Sequence, residues 1–141
     1  MSSTENKAII RRYIEEVWGK GDFAAEQELV AANIVDHNAI PGFPPGFAGH
    51  HQTVVMLRNA FPDGTNTLED VIVDGDKVAD RHTFRGTHTG EFMGIPPTGK
   101  VVVFSGMEIT RIANGQIVEQ WHQEDFLGIM QQLGVIPTAG Q

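Results

Sequence analysis

The chain has 141 residues, a formal charge of -8 and no cysteine. That length fits a single domain, 1–141, with a real core. The acidic balance argues against nucleic acid or an anionic membrane as partner, and the missing thiols exclude disulfides, a cysteine nucleophile and a cysteine-ligated metal site.

In chain order, residues 5–18 predict a helix, because Ile10, Tyr13, Ile14, Val17 and Trp18 recur at three- and four-residue spacing. Ser2 is a candidate cap with Glu5 three residues on. Tyr13 and Trp18 lie on the apolar stripe, so their polar tips need partners or a cavity. Asp22 predicts the start of a short helix over about 23–31, with Leu29 and Val30 inward. A short strand over 33–38 then ends in the cluster Asp36-His37-Asn38.

Residues 41–49 form a Pro/Gly-rich loop, a connector or a cover over a pocket mouth. A third helix over 50–61 turns Val54, Leu57 and Phe61 inward and stops at Pro62. His50-His51 within it reads as a solvated pair, since neighbours on a helix point about 100° apart and do not readily share one ion. Strands at 67–73 and 78–89 flank the turn Asp74-Gly75-Asp76. In the second strand, Val78, Asp80, His82 and Phe84 share one parity, so His82 lines a cavity or is a satisfied core histidine. Phe126–Leu133 predicts a last helix, closed by Gly134 and followed by Pro137.

Asn114-Gly115 between two apolar runs is a strong hairpin signal, because a two-residue type I′ turn needs positive φ at both positions. It pairs 101–112 with 116–125. With Ala113 opposite Gln116, strand alternation groups Phe104, Gly106, Glu108, Thr110, Trp121, Gln123 and Asp125 on one face. The other face holds Val101, Val103, Met107, Ile109, Val118 and His122, mostly apolar. The first face has the mixed composition of a ligand pocket; a solvated face with a half-covered Trp is the alternative. Helices preceding an antiparallel sheet of four or so strands predict an α+β fold with helices packed on one sheet face. A curled sheet would leave a conical hollow between the layers.

No apolar run approaches the roughly 20 residues of a membrane span, and residues 1–7 lack a signal-peptide core. The expectation is a soluble cytoplasmic protein.

Gly86-Thr87-His88-Thr89-Gly90-Glu91-Phe92, Gly94-Ile95-Pro96-Pro97-Thr98-Gly99-Lys100, Gly115–Trp121, Asp125 and Leu127–Gly134 together resemble the SnoaL-like polyketide cyclases. These share a cystatin-like cone fold with ketosteroid isomerase and nuclear transport factor 2. The resemblance implies a cofactor-free and metal-free enzyme that closes a polyketide ring by intramolecular aldol condensation. Its Trp-x-x-x-Asp pattern puts the general acid/base on Asp125. A looser resemblance to the isomerases brings in Tyr13, His37 and Glu108, although His stands at 37 where that family keeps an Asp.

The expected substrate-binding set is Tyr13, His37, His82, Glu108, Trp121 and Gln123, facing a small apolar or polycyclic ligand. Phe104 and Trp121 would desolvate Asp125 and raise its pKa. A protonated Glu108, or Tyr13, would hydrogen-bond the enolate oxygen. The alternatives are a non-catalytic small-molecule binder and a hydrolase, dehydratase or isomerase acting on a small lipophile. A homodimer is expected if the apolar hairpin face is left uncovered by helices.

Overall fold

The computed structural model describes residues 2–137. Helix α1 (Ser3–Arg12) opens on a reciprocal cap: the Ser2 side chain accepts from the Glu5 N–H, and the Glu5 carboxylate reaches back to the Ser2 backbone. The helix then continues through a wider π-helical stretch, Tyr13–Trp18, with Tyr13, Ile14 and Val17 buried. Such stretches recur at functional sites. Asp22 caps α2 (Phe23–Leu29) by accepting from the Ala25 N–H at 3.0 Å.

Val30 does not extend this helix, as the spacing suggested. It begins β1 (Val30–Asp36), pairing with Ile117 on β5. A β-branched residue gives up little helical preference when a ladder is on offer. Next come α3 (Gly46–Ala60), β2 (Thr65–Asp74), β3 (Lys77–Thr87), β4 (Val101–Ala113), β5 (Gln116–Glu124) and α4 (Phe126–Leu133).

The five strands form one sheet in the order β1-β5-β4-β3-β2. Every pair is antiparallel except β1 with β5, which is parallel. The architecture is therefore α+β, as expected, with a mixed sheet of one more strand than the sequence suggested. One core cluster joins Ile10, Tyr13, Ile14 and Val17 to Leu29, Ile34, Val54 and Ile117. A second joins Phe61, Phe84, Phe92 and Phe104 to Ile129 and Leu133 of α4. Among the described residues, no helix is long and apolar enough to cross a membrane.

The β4–β5 hairpin turns at Asn114 and Gly115, both with positive φ (52° and 75°), as a type I′ turn requires. Ala113 faces Gln116 and Ile112 faces Ile117, the predicted register. The register then slips by one: Arg111 faces Glu119, and Val118 is the extra residue of a β-bulge. From there on Thr110 faces Gln120, Ile109 faces Trp121 and Glu108 faces His122. A one-residue slip exchanges the two faces of a strand. Gln120, His122 and Glu124 therefore share the face of Glu108, whereas Trp121 and Gln123 fall with Ile109 and Met107 on the other.

Candidate active site

The helices and the sheet enclose a cavity that opens to solvent, about 860 Å³ of space with its open mouth included. Its walls are largely apolar, with Ile14, Trp18, Phe84, Phe92, Phe104 and Ile129 among them. Its sheet floor is laid out in rows set by strand register. His122, Glu108 and Asp80 are lateral neighbours on β5, β4 and β3, and Glu124, Gly106 and His82 form the next row. Phe104, Phe84 and Asn66 form the row beyond, on β4, β3 and β2.

Two histidines meet acids on this floor. His122 places Nε2 at 2.8 Å from Asp36 Oδ1 and Nδ1 at 2.8 Å from Glu124 Oε2. Both ring nitrogens donate, so the ring is an imidazolium. Burial opposes that charge, but the hydrogen bonds to Asp36 and Glu124 outweigh it and push the pKa up to about 10. In return, and again against burial, His122 holds the Asp36 carboxyl below its usual range.

His82 donates from Nδ1 to the buried Asp80 Oδ1 at 2.7 Å. Its Nε2 faces Glu124 Oε1 at 3.8 Å. Gly106 lies between them. A Cβ built there would come within 2.6 Å of His82 Nε2 and 3.2 Å of Glu124 Cγ, so the missing side chain makes room for this approach.

Glu108 and Asp80 stand side by side with one buried oxygen each, Glu108 Oε1 and Asp80 Oδ2, that no group in the protein hydrogen-bonds. Burial, and then the negative charge of Asp80, raise the Glu108 pKa well above the usual carboxylate range. A hydrogen bond with the Asp80 side chain acts in the same direction, so Glu108 is a neutral acid beside a carboxylate. Asp80, His82 and Glu108 each present a ligand atom within 4.8 Å of the other two, a spacing an ion could use. A proton on Glu108 relieves the same crowding of negative charge.

A third group hangs from the helices. Glu26 is fully buried and accepts from His50 Nδ1 at 2.5 Å and from His51 Nδ1 at 2.7 Å. Burial works against its charge, yet the two histidines hold its pKa below normal. His50 Nε2 lies 2.6 Å from the Tyr13 hydroxyl, which is also 2.9 Å from Gln120 Oε1. His50 and His51 are therefore not a solvated pair. They share no ion, but they share one carboxylate, which their divergent directions reach from two sides.

Of the seven residues singled out from sequence, Tyr13, His82 and Glu108 line the cavity. The bulge turns Trp121 and Gln123 away from it. Trp121 stacks on His37, with ring centroids 4.7 Å apart, and His37 bonds Glu119 at 2.7 Å on the same outer side. Asp125 was expected in a sheltered hole. It is exposed, and its carboxylate caps α4 by accepting from the Gly128 N–H at 2.9 Å. Phe104 and Trp121 accordingly do not desolvate it.

Asp36, Asp80, Gln120, His122 and Glu124 complete the floor, His50 of α3 faces them across the cavity, and none was singled out as a site residue. The i, i+2 repeats Asp80–His82 and Gln120–His122–Glu124 were the available signal.

The sequence matches the SnoaL-like polyketide cyclase family over residues 8–133. It is 30% identical over 132 residues to the aklanonic acid methyl ester cyclase DauD of Streptomyces sp. (strain C5), covering 89% of this chain and 80% of that one. The aklanonic acid methyl ester cyclase DnrD of Streptomyces peucetius is also 30% identical, with 89% and 88% covered. Among solved structures, IdmH of Streptomyces antibioticus superposes with a TM-score of 0.78 at 34% identity, over 92% of this chain and 98% of that one. Fold, cavity and sequence agree that this chain belongs to the SnoaL-like polyketide cyclase family.

Proposed function

We propose that this protein, as a single domain, closes a ring in a polyketide-like substrate by intramolecular aldol condensation, using only its own acid and base groups. The observation that carries the reading is the Asp80–His82 pair facing Glu124 across Gly106, beside the protonated Glu108, at the floor of an apolar cavity.

With Nδ1 directed at Asp80, His82 presents Nε2 to the cavity as the base of this reading. It takes the proton from a carbon flanked by carbonyls, while Asp80 fixes the ring and Glu124 balances the imidazolium that forms. Glu108 donates a hydrogen bond to the enolate oxygen. The enolate carbon attacks the second carbonyl carbon, and His82 returns its proton to the alkoxide. Proton and charge both balance, and the product is an isomer of the substrate. Acid–base catalysis of this kind contributes about 10²–10⁴-fold. Folding the chain of the substrate within apolar walls supplies proximity, up to roughly 7–11 kcal/mol. The role expected of Asp125 passes in this reading to His82 and Glu124.

The test is to incubate the protein with aklanonic acid methyl ester, the compound named for two relatives, and follow it by chromatography and mass spectrometry. A product of unchanged mass and altered retention is expected, and His82→Gln and Glu124→Gln should abolish its formation. Full conversion by both variants would overturn the mechanism.

Two copies of the chain pair in this proposal through the outer sheet face. Ile109, Met107, Val101 and Val103 of β4 stand exposed there, with Ile72 on β2 the most open at 69%. An apolar patch of this kind suits a partner surface. Sedimentation should give a dimer, and Met107→Lys with Ile109→Lys a monomer. A monomeric wild type at micromolar concentration would sink this part.

A further inference from the structure

We propose that Asp80, His82 and Glu108 form a seat for one divalent transition-metal ion such as Zn²⁺ or Co²⁺. Each presents a ligand atom within 4.8 Å of the other two, and among the described residues it is the only such group of His, Asp or Glu. The His122 cluster differs, because its two acids lie at opposite nitrogens of the ring. The ion site stands on this geometry and does not need the cyclase reading.

Asp80 and His82 are two residues apart on β3, so their side chains leave the same face, and Glu108 of β4 is paired with Asp80. All three are more than nine-tenths buried, at 5%, 4% and 7% exposure. Asp80 Oδ2 and Glu108 Oε1 receive no hydrogen bond from an N–H or hydroxyl of another residue. Protons alone hold the cluster together. One lies between His82 Nδ1 and Asp80 Oδ1 at 2.7 Å, and one joins Glu108 to Asp80.

An ion bound by His82 Nδ1 and one oxygen of each acid takes the place of both protons. Bonds of about 2.0–2.2 Å set neighbouring ligand atoms roughly 3–3.5 Å apart, so the Nδ1–Oδ1 pair opens slightly and Glu108 closes in. The imidazole then carries its hydrogen on Nε2, which faces Glu124 Oε1 at 3.8 Å. A carboxylate at the far nitrogen is the usual partner of a metal-bound imidazole. Glu124 is thus a positioning residue for the ion.

Charge favours the ion as well. Asp36 and Glu124 add to the negative field at Glu108, and the His122 imidazolium is already held between those two acids. One imidazole and two carboxylates suit a divalent first-row transition ion. Ca²⁺ and Mg²⁺ take oxygen ligands and fit less well. His82 and Glu108 line the open cavity, which gives the ion its way in. Once bound, it moves the His82 hydrogen to Nε2, the base of the cyclase reading, and so inhibits turnover.

The test is a titration of EDTA-treated, dialysed protein with Co²⁺, followed by visible absorption and calorimetry. One ion per chain is expected, with the ligand-field bands of an ordered site. Asp80→Asn and Glu108→Gln should each remove the bands. Glu124→Gln should weaken binding by about 10–100-fold, acting through the imidazole. His37→Gln, on the outer side of the sheet, should change nothing. No binding at millimolar Co²⁺ overturns the proposal, and so do bands that survive both carboxylate variants, which would mark an adventitious ion elsewhere.

Nitrogen NMR of the imidazoles in the Zn²⁺ form gives a second check that no carboxylate variant enters. The His82 signals, identified by their loss in His82→Gln, should show the metal at Nδ1 and the hydrogen at Nε2. A hydrogen that stays on Nδ1 overturns the proposal. Zn²⁺ should also stop the conversion of aklanonic acid methyl ester, and EDTA should restore it. Turnover that persists with the ion seated strikes the role of His82 as base and leaves the ion site standing.

Discussion

The sheet side and the helix side of the cavity both place histidine beside buried acid, and they do opposite things with it. On the helix side, the buried atoms of Glu26, His50, Tyr13 and Gln120 answer one another within the protein, with His51 bonded to Glu26 from the rim. On the sheet side the set stays open. Glu108 Oε1 and Asp80 Oδ2 are without partners, and His82 Nε2 stops 3.8 Å short of Glu124. A saturated network fixes geometry. An unsaturated one keeps hydrogen-bonding capacity for a substrate, which is why the reaction is placed on the sheet.

Substitutions can break this contrast. His82→Gln and Glu124→Gln should each lower turnover of a true substrate by about 10²–10⁴-fold, with thermal unfolding little changed. Glu26→Ala should do the reverse. It strands two imidazoles at the bottom of the helix layer, and removing one partner of a buried ion pair costs roughly 3–5 kcal/mol; chemical denaturation should show that loss. Turnover measured where the variant is still folded should fall less than for His82→Gln.

His122 sharpens the contrast through pH. Its pKa of about 10 in the folded protein lies above the ordinary value of about 6.5. Its contribution to stability is therefore complete below that ordinary value, declines as pH rises, and is gone once pH passes about 10. Asp36, held below its usual range, adds stability above its ordinary pKa and loses it in acid. Denaturation curves of His122→Gln should lack the alkaline decline seen in wild type. An identical pH profile would show that the pair contributes nothing.

The smallest effect belongs to Asp125→Ala. Loss of a helix cap costs about 1 kcal/mol, so the unfolding midpoint should drop slightly while turnover holds. Lost turnover in this variant would return the catalytic role to Asp125.

The elements were legible in the sequence wherever a local rule decides. Ser2 with Glu5, Asp22, the Asn114-Gly115 turn and Gly134 with its φ of 82° each end or begin an element by their own stereochemistry. Tyr13, His82 and Glu108 were legible because they precede the bulge or lie away from it. What remained hidden depends on long-range pairing. Nothing near Val118 marks a bulge, because its neighbours satisfy strand preference in either register. Glu26 and His50 are 24 residues apart on separate helices, and their meeting follows from packing alone.

Val118 sets the phase of β5. Were it paired with Arg111 in an unbroken ladder, Trp121 and Gln123 would roll into the hollow while His122 and Glu124 rolled out to the surface. Deleting it would only straighten the strand, because Glu119 would then follow Ile117 and keep its place opposite Arg111. What gives this hollow a charged base in place of an aromatic wall is therefore a single residue left out of the ladder, not any side chain inside the hollow.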